Sequence, residues 1–155
     1  MRTYKIAAIG GDGIGPEVVN AGLEVMETIA TSDGSFRFAV EHFDWSSDRY
    51  LKQGAYIPEG GLEKLKGFDA ILFGAVGSQK VPDHVSLWGL RLPICQGFDQ
   101  YANVRPSRLL PGITSPMTNA SNIDWVIVRE NTEGEYSGAG GRVHPGLPNE
   151  VAMEI

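Results

Sequence analysis

Short apolar strands alternate with helical segments along the first half of the chain. Strand character occurs at residues 4–9, 36–43 and 68–75, and helical character at residues 16–30, 47–53 and 58–66. This alternation is typical of parallel strands joined by helical crossovers. It predicts an α/β fold with a partly parallel sheet flanked by helices. The third strand, Phe68–Ala75, is apolar from Ala70 onward and is predicted to be fully buried.

Composition excludes several classes of protein. The 155 residues carry a net charge of −6 and no run of Lys or Arg, which argues against a nucleic-acid or anionic-membrane surface. Cys95 is the single cysteine, so no internal disulfide can form, which favours a reducing compartment. Neither a signal peptide nor a membrane-spanning apolar run is recognisable. We therefore expect a soluble, cytoplasmic protein.

The segment Val126–Tyr136 begins as a run of β-branched residues and ends in charged and polar groups. The run predicts a buried strand, and ligands of open α/β sheets bind outside the ends of such strands. By alternation, Trp125, Ile127 and Arg129 share one face of this strand. The segment could deliver site residues, or it could be a core strand followed by an ordinary polar turn.

Other segments give weaker predictions. Residues 85–96 favour a helix that Pro93 would kink or end early. Tyr101–Pro106 is predicted to be extended, with Arg105 on the same face as Asn103. A loop is expected over residues 111–122, and the glycines of residues 137–143 are typical of a hairpin turn. A change of composition near residue 100 indicates a domain boundary.

Glycines at positions 11, 13 and 15 separate the first strand from the first helix. Such glycines often expose backbone N–H groups to a phosphate, but the spacing differs from that of the dinucleotide fingerprint and no Walker lysine follows. A tight turn without a ligand is the alternative. The same choice applies to Gly74–Gly77, where small residues end the third strand and allow either a close ligand or a simple turn.

Four motifs, taken in order, resemble the β-decarboxylating dehydrogenases of the isocitrate/isopropylmalate dehydrogenase family. They lie at residues 11–18, 74–77, 101–106 and 128–136. Residues 82–90, 98–101 and 140–143 are most similar to the tartrate and D-malate dehydrogenase branch. The resemblance implies an isopropylmalate dehydrogenase-like fold that is incomplete at the C-terminus. It assigns residues 1–100 to part of the first α/β domain and residues 101–155 to the start of a second, dimer-forming domain.

The resemblance also implies a reaction. The family oxidises a 2-hydroxy dicarboxylate with NAD and then releases carbon dioxide, using Mg²⁺ or Mn²⁺ as a Lewis acid. Arg105 and Arg129 match the family's substrate arginines, whose guanidinium groups suit carboxylates. Tyr136 matches the family's catalytic tyrosine, the acid that protonates the enolate carbon, and a tyrosine of ordinary pKa, ~10, keeps a proton to donate at neutral pH. Taken alone, Tyr136 could instead be a packed aromatic of a hairpin. The matching motifs imply that the cofactor contacts Ile14, Val76 and Gly77.

Two departures from the family pattern qualify this interpretation. Cys95 stands where another substrate arginine is usual, and we hypothesise that Arg91, one helical turn earlier, contacts the substrate instead; a surface role for Arg91 is the alternative. The family's metal-binding aspartates, catalytic lysine and adenine-binding loop have no counterpart in this sequence, so no metal ligand is predicted here. The chain is therefore expected to be an N-terminal portion that is inactive alone. The competing hypothesis is a truncated, non-catalytic binding or interaction module.

Overall fold

The computed structural model describes residues 1–118, 120 and 122–155, so positions 119 and 121 of the predicted loop 111–122 lie outside the described residues. The chain divides into two compact units, Met1–Ile94 and Cys95–Ile155. We call them the first and the second unit. Their assignment to domains of a larger enzyme remains a prediction.

The first unit is built on a parallel sheet, as the alternation of strands and helices predicts. Its strands pair in the order β2-β1-β3, and both pairs are parallel. The elements in chain order are β1 (Arg2–Gly11), α1 (Gly15–Asp33), β2 (Phe36–Phe43), α2 (Ser47–Gln53), α3 (Gly61–Leu65), β3 (Ala70–Ala75) and α4 (Asp83–Ser86). The expected α/β architecture is confirmed.

Only the central strand of this sheet contains a fully buried stretch. Residues Ile6–Ile9 of β1 are at most 5% exposed, whereas β3 has half-buried residues in its middle and exposed residues at both ends. The prediction that the third strand is fully buried is therefore wrong. Composition gives a strand its apolar character, but its place in the sheet decides its burial, and β3 is an edge strand of the described sheet.

Helix α1 begins where Pro16 and Glu17 predict a helix start. Pro16 lies in the first helical turn, where its missing N–H costs nothing, and Glu17 adds negative charge at the same end. Gly34 ends the helix in a left-handed conformation, and its N–H donates to the carbonyl of Ala30 at 2.9 Å. Val19 and Ala30 form the buried face of the helix.

The segment around Pro93 is helical throughout, so the helix does not end early at Pro93, but its regular α-helical hydrogen bonding is interrupted. A π-helical turn, Leu87–Arg91, connects α4 to α5 (Leu92–Gly97). The N–H of Leu92 donates to the carbonyl of Leu87, five residues earlier. Pro93 then occupies the first turn of α5, where no N–H is required, so the wide turn before it lets the chain continue as a helix.

The second unit consists of two antiparallel strand pairs. β4 (Ala102–Arg108) pairs with β5 (Asp124–Glu130), and β6 (Gly140–Val143) pairs with β7 (Val151–Glu154). A short 3₁₀ turn, Gly134–Tyr136, lies between β5 and β6.

Two predictions about the second unit are wrong. β5 exists but is not buried, since Val126 and Val128 are 66% and 68% exposed in a sheet of only two described strands. The glycines of residues 137–143 do not form a hairpin turn. Gly140 instead lies within β6, where a Cβ would approach the carbonyl oxygen of Met153 to 2.5 Å, and the hairpin loop lies between β6 and β7.

Candidate active site

The register of β4 and β5 places two predicted substrate arginines on one face. Asn103 pairs with Arg129 and Arg105 pairs with Ile127. Directly opposed residues of antiparallel strands point to the same side of a sheet, and diagonal neighbours are roughly 7–8 Å apart between Cα atoms. Arg105 and Arg129 are therefore diagonal neighbours on the same face. Arg105 is exposed, and the side chain of Arg129 is 35% exposed.

Tyr136 returns to this face through the loop that follows β5. Its ring lies below the guanidinium of Arg129, with 4.9 Å between the guanidinium carbon and the ring centroid. This is a cation–π arrangement. Glu135 brings a carboxylate oxygen to 3.8 Å from Nη2 of Arg129. The structure thus brings together Arg105, Arg129 and Tyr136, three of the residues singled out from sequence.

Glu130 organises the loop that carries Tyr136. Its carboxylate accepts hydrogen bonds from the Thr132 hydroxyl at 2.6 Å, the Thr132 N–H at 2.7 Å and the Glu133 N–H at 2.9 Å. These donors favour the ionised form and lower the pKa of Glu130 from 4.5 to about 2, the Thr132 hydroxyl having the largest effect. The carboxylate therefore stays charged at neutral pH and keeps the loop folded back on the end of β5.

Two further side chains hold the same loop. Asn131 is 4% exposed, and its Nδ2 donates to the carbonyl of Gln100 at 3.1 Å. Nε2 of Gln96 donates to the carbonyl of Tyr136 at 2.8 Å. Sequence analysis assigned no role to Glu130, Asn131 or Gln96. Asn131 directly follows the charged residues Arg129 and Glu130 in a motif already described, and this was the one sequence signal for its role.

The first unit brings its predicted cofactor residues to one edge of the sheet. Gly11, the last residue of β1, pairs with Ala75, the last residue of β3, so Val76 and Gly77 leave the sheet beside the turn that contains Ile14. Ile14 is the N-cap of α1 and is 64% exposed. Carboxyl ends of parallel strands are where open α/β sheets bind ligands.

The glycines at this edge have different roles. A Cβ on Gly11 would lie 2.0 Å from the carbonyl oxygen of Ala75, so Gly11 is required for close packing of β1 on β3. Gly77 has φ +149°, which side chains disfavour, and no atom lies within 4 Å of where its Cβ would be. Close packing at Gly11 accounts for the turn without any ligand, whereas the Cβ position of Gly77 faces open space.

Asp12 was missed by sequence analysis, although it lies between two glycines of the first motif. Its carboxylate accepts hydrogen bonds from Ser47 and from the N–H of Gly77. The Ser47 hydroxyl also contacts the hydroxyl of Tyr56 at 2.7 Å, and both residues are at most 2% exposed. Burial raises the pKa of Tyr56, so its hydroxyl remains protonated. An acidic residue between glycines was the only available signal.

Arg91 and Cys95 lie in the helical segment around Pro93. Arg91 is half-buried and ends the π-helical turn, and Cys95 is a buried free thiol in α5. Turns of this kind are frequent at functional sites, although the substrate role of Arg91 remains a prediction.

Within residues 1–118, 120 and 122–155, no group of three or more His, Cys, Asp or Glu side chains could hold a metal ion. The residues present thus do not fit a complete divalent-metal site. None of the described helices combines the length and apolar character needed to cross a membrane.

Comparisons with known proteins identify the family of the chain. The family described as isocitrate/isopropylmalate dehydrogenase matches residues 5–155. A probable tartrate dehydrogenase/decarboxylase from Agrobacterium vitis is 64% identical over 157 residues, which cover 100% of this chain and 44% of that protein. A decarboxylating D-malate dehydrogenase from Escherichia coli is 48% identical, with 99% and 44% covered.

Solved structures give the same result. An isocitrate dehydrogenase from Methylococcus capsulatus matches with a TM-score of 0.73 and 25% identity, covering 98% of this chain and 42% of that one. A β-decarboxylating dehydrogenase from Thermococcus kodakarensis matches with a TM-score of 0.62 and 29% identity, covering 98% and 40%. The chain spans less than half the length of the curated relatives above and belongs to the isocitrate/isopropylmalate dehydrogenase family.

Proposed function

We propose that this chain contributes the N-terminal part of a dehydrogenase that oxidises a 2-hydroxy dicarboxylate of the tartrate or D-malate type with NAD, followed by decarboxylation. The observation that carries the proposal is the cluster of Arg105, Arg129 and Tyr136 on one face of the second unit. The similarity to tartrate and D-malate dehydrogenases supports the substrate class.

The two arginines have the chemistry to hold a dicarboxylate. Each guanidinium can donate two parallel N–H bonds to one carboxylate, which fixes orientation as well as charge. Arg129 is held in place by the Tyr136 ring below it, while Arg105 is exposed and available. Arg91 is proposed to contact the substrate as a third arginine, in the role that Cys95 cannot fill.

Tyr136 is proposed as the acid that protonates the carbon left by decarboxylation. The loop held by Glu130 and Asn131 fixes the tyrosine backbone, and the Arg129 guanidinium lies over its ring. Both arginines can attract the carboxylates of a substrate to the neighbourhood of this hydroxyl. Positioning of this kind lowers the entropic cost of proton transfer.

NAD is proposed to contact Ile14, Val76 and Gly77, and when bound it would accept the hydride. The open space beside Gly77 and the exposure of Ile14 fit this assignment. A divalent metal, Mg²⁺ or Mn²⁺, is proposed to be held by residues outside this chain. We also propose that the whole protein is a homodimer, on the basis of the family resemblance. A cytoplasmic location is proposed because the chain has a single cysteine.

The first test is the intact mass of the protein purified from its native source, followed by an assay of NADH formation with tartrate and D-malate. A mass well above 16.8 kDa, together with NADH formation, is the expected result. A mass near 16.8 kDa without NADH formation would overturn the enzyme proposal and favour a non-catalytic binding module.

Variants of the active protein then test the site itself. Arg105→Gln should raise the KM for the dicarboxylate at least about tenfold, because a bidentate charged contact is lost. Arg108→Gln is the matched control, since Arg108 lies on the same strand but alternates to the opposite face. Tyr136→Phe should lower kcat about 100-fold with little change in KM. Equal effects of Arg105→Gln and Arg108→Gln would contradict the assigned face.

A further inference from the structure

One carboxylate, that of Asp12, binds two other segments of the first unit. Its Oδ2 accepts from the Gly77 N–H at 2.9 Å and from the Ser47 hydroxyl at 2.6 Å, and its Oδ1 accepts from the Ser47 N–H at 2.7 Å. Asp12 itself belongs to the turn that leads to Ile14. The carboxylate thus connects the turn after β1, the first residue of α2 and the segment after β3.

The contact with Gly77 restricts a backbone that would otherwise be permissive. Gly77 lacks a side chain, has φ +149° and has no atom near its Cβ position. Asp12 also donates its own N–H to the carbonyl of Ala75 at 2.6 Å. The main chain and side chain of Asp12 therefore hold residues on both sides of Val76, and this fixes the direction of that short segment.

The carboxylate is itself held firmly. Both of its oxygens bind Ser47, which is 1% exposed, and the Ser47 hydroxyl contacts Tyr56, which is 2% exposed. Buried and satisfied hydrogen-bond networks are rigid because every alternative arrangement leaves a polar group unpaired. Tyr50 stacks on Tyr56 with 5.1 Å between ring centroids, which supports the network from the side.

We propose that Asp12 is a positioning residue that sets the spacing between Ile14 and the Val76–Gly77 segment for a bound nicotinamide dinucleotide. Asp12 acts through the backbone of these segments and does not touch the cofactor. The cofactor part rests on the function proposed above, whereas the hold on Gly77 rests only on the hydrogen bonds of the first unit.

The test compares the active protein, purified from its native source, with two variants by nuclear magnetic resonance of backbone amides. Asp12→Ala removes both accepting oxygens, so the Gly77 N–H loses its side-chain acceptor. Ser47→Ala is the matched control. It removes one buried hydroxyl from the same network but leaves the Asp12–Gly77 hydrogen bond intact. Amide exchange at Gly77, thermal stability and the dissociation constant for NAD are measured for each protein.

We expect Asp12→Ala to accelerate exchange at Gly77 and to raise the NAD dissociation constant, each by about tenfold, because the charge-assisted hydrogen bond to Gly77 is lost. Ser47→Ala should reduce thermal stability but change the NAD dissociation constant less than about twofold. This separation would distinguish positioning from a purely structural role.

Three results would overturn the inference. Unchanged exchange at Gly77 in Asp12→Ala would show that the carboxylate does not hold this segment. Faster exchange with an unchanged NAD dissociation constant would show that the segment is held for another reason. If NAD shifts no resonance of Ile14 or Gly77 even in the unaltered active protein, the cofactor assignment fails as well, and that failure is recognisable because it is independent of Asp12.

Discussion

The two units of the chain achieve order by different means. The first unit is built around its central strand β1, in which Ile6–Ile9 are at most 5% exposed. The second unit leaves large apolar side chains of β5 exposed, yet holds a polar loop through the side chains of Glu130 and Asn131. Burial of apolar surface dominates the first unit, and directed hydrogen bonds dominate the loop of the second.

The two proposed sites therefore depend on different kinds of interaction. The proposed cofactor edge is attached to the buried strand β1, so its geometry depends on the packing of the first unit. The arginine–tyrosine cluster depends on strand register and on a few local hydrogen bonds. Substitutions in the two units should therefore have effects of different size and kind.

The largest expected effect is a cavity in the core of the first unit. Ile9 is 0% exposed, and Ile9→Ala should reduce the free energy of unfolding by about 2–5 kcal/mol. The same substitution at Ile127 of β5, which is 48% exposed, should cost less than about 1 kcal/mol. Urea denaturation monitored by circular dichroism provides the measurement. Equal losses at both sites would contradict the contrast between the units.

A second prediction sharpens the contrast within one helix. Gly15→Ala would place a Cβ 2.1 Å from the carbonyl oxygen of Gly10, and should destabilise the first unit by about 2–3 kcal/mol. Gly22→Ala in the same helix meets only Leu72, at 3.9 Å, and should stabilise by about 0.5–1 kcal/mol because alanine favours helix. Thermal melting of both variants tests the pair. If both variants change stability in the same direction, the close approach at Gly15 is not limiting.

The third prediction concerns the loop of the second unit. Asn131→Ala removes a buried amide that donates to the carbonyl of Gln100 and should cost about 0.5–1.5 kcal/mol, because that hydrogen bond is lost. Amide exchange should increase across residues 130–136 but not in β1. Asn149→Ala, at an exposed position, is the control and should change neither. Faster exchange in β1 would show that the effect is not local.

The smallest expected effect is the pH dependence of Glu130. Its pKa in the folded chain, about 2, lies below the ordinary 4.5, so its stabilising effect on the loop is complete above pH 4.5 and is lost as pH falls through about 2. A carboxyl-carbon titration by nuclear magnetic resonance should show this low midpoint. Thr132→Val removes the strongest donor and should raise the midpoint. An unchanged midpoint in Thr132→Val would exclude the Thr132 hydroxyl as the main cause.

The sequence predicted strand and helix positions well where local patterns are strong. The bounds of β2 and α2 match the predicted segments, and the α1 start follows from Pro16 and Glu17. Burial was predicted poorly for β3 and β5, because apolar composition does not reveal which strand is central. The π-helical turn before Pro93 also escaped prediction, since it depends on a hydrogen bond five residues apart.

The candidate site shows the same division. Arg105, Arg129 and Tyr136 were identified from motifs, since the residue types and their order are written in the sequence. Their common face follows from the pairing of Asn103 with Arg129, which the motifs do not specify. Asp12 was missed because its partners, Ser47 and Gly77, are 35 and 65 residues away.

By itself, the sequence determined the α/β class, the positions of the strong strands and helices, and the residue types available for chemistry. These properties depend on local spacing and on composition. Only the tertiary structure decided that β1 is the buried strand, that two arginines share a face, and that Asp12 binds Gly77. Each of these depends on contacts between residues distant in the chain, and such contacts are set by strand order and register.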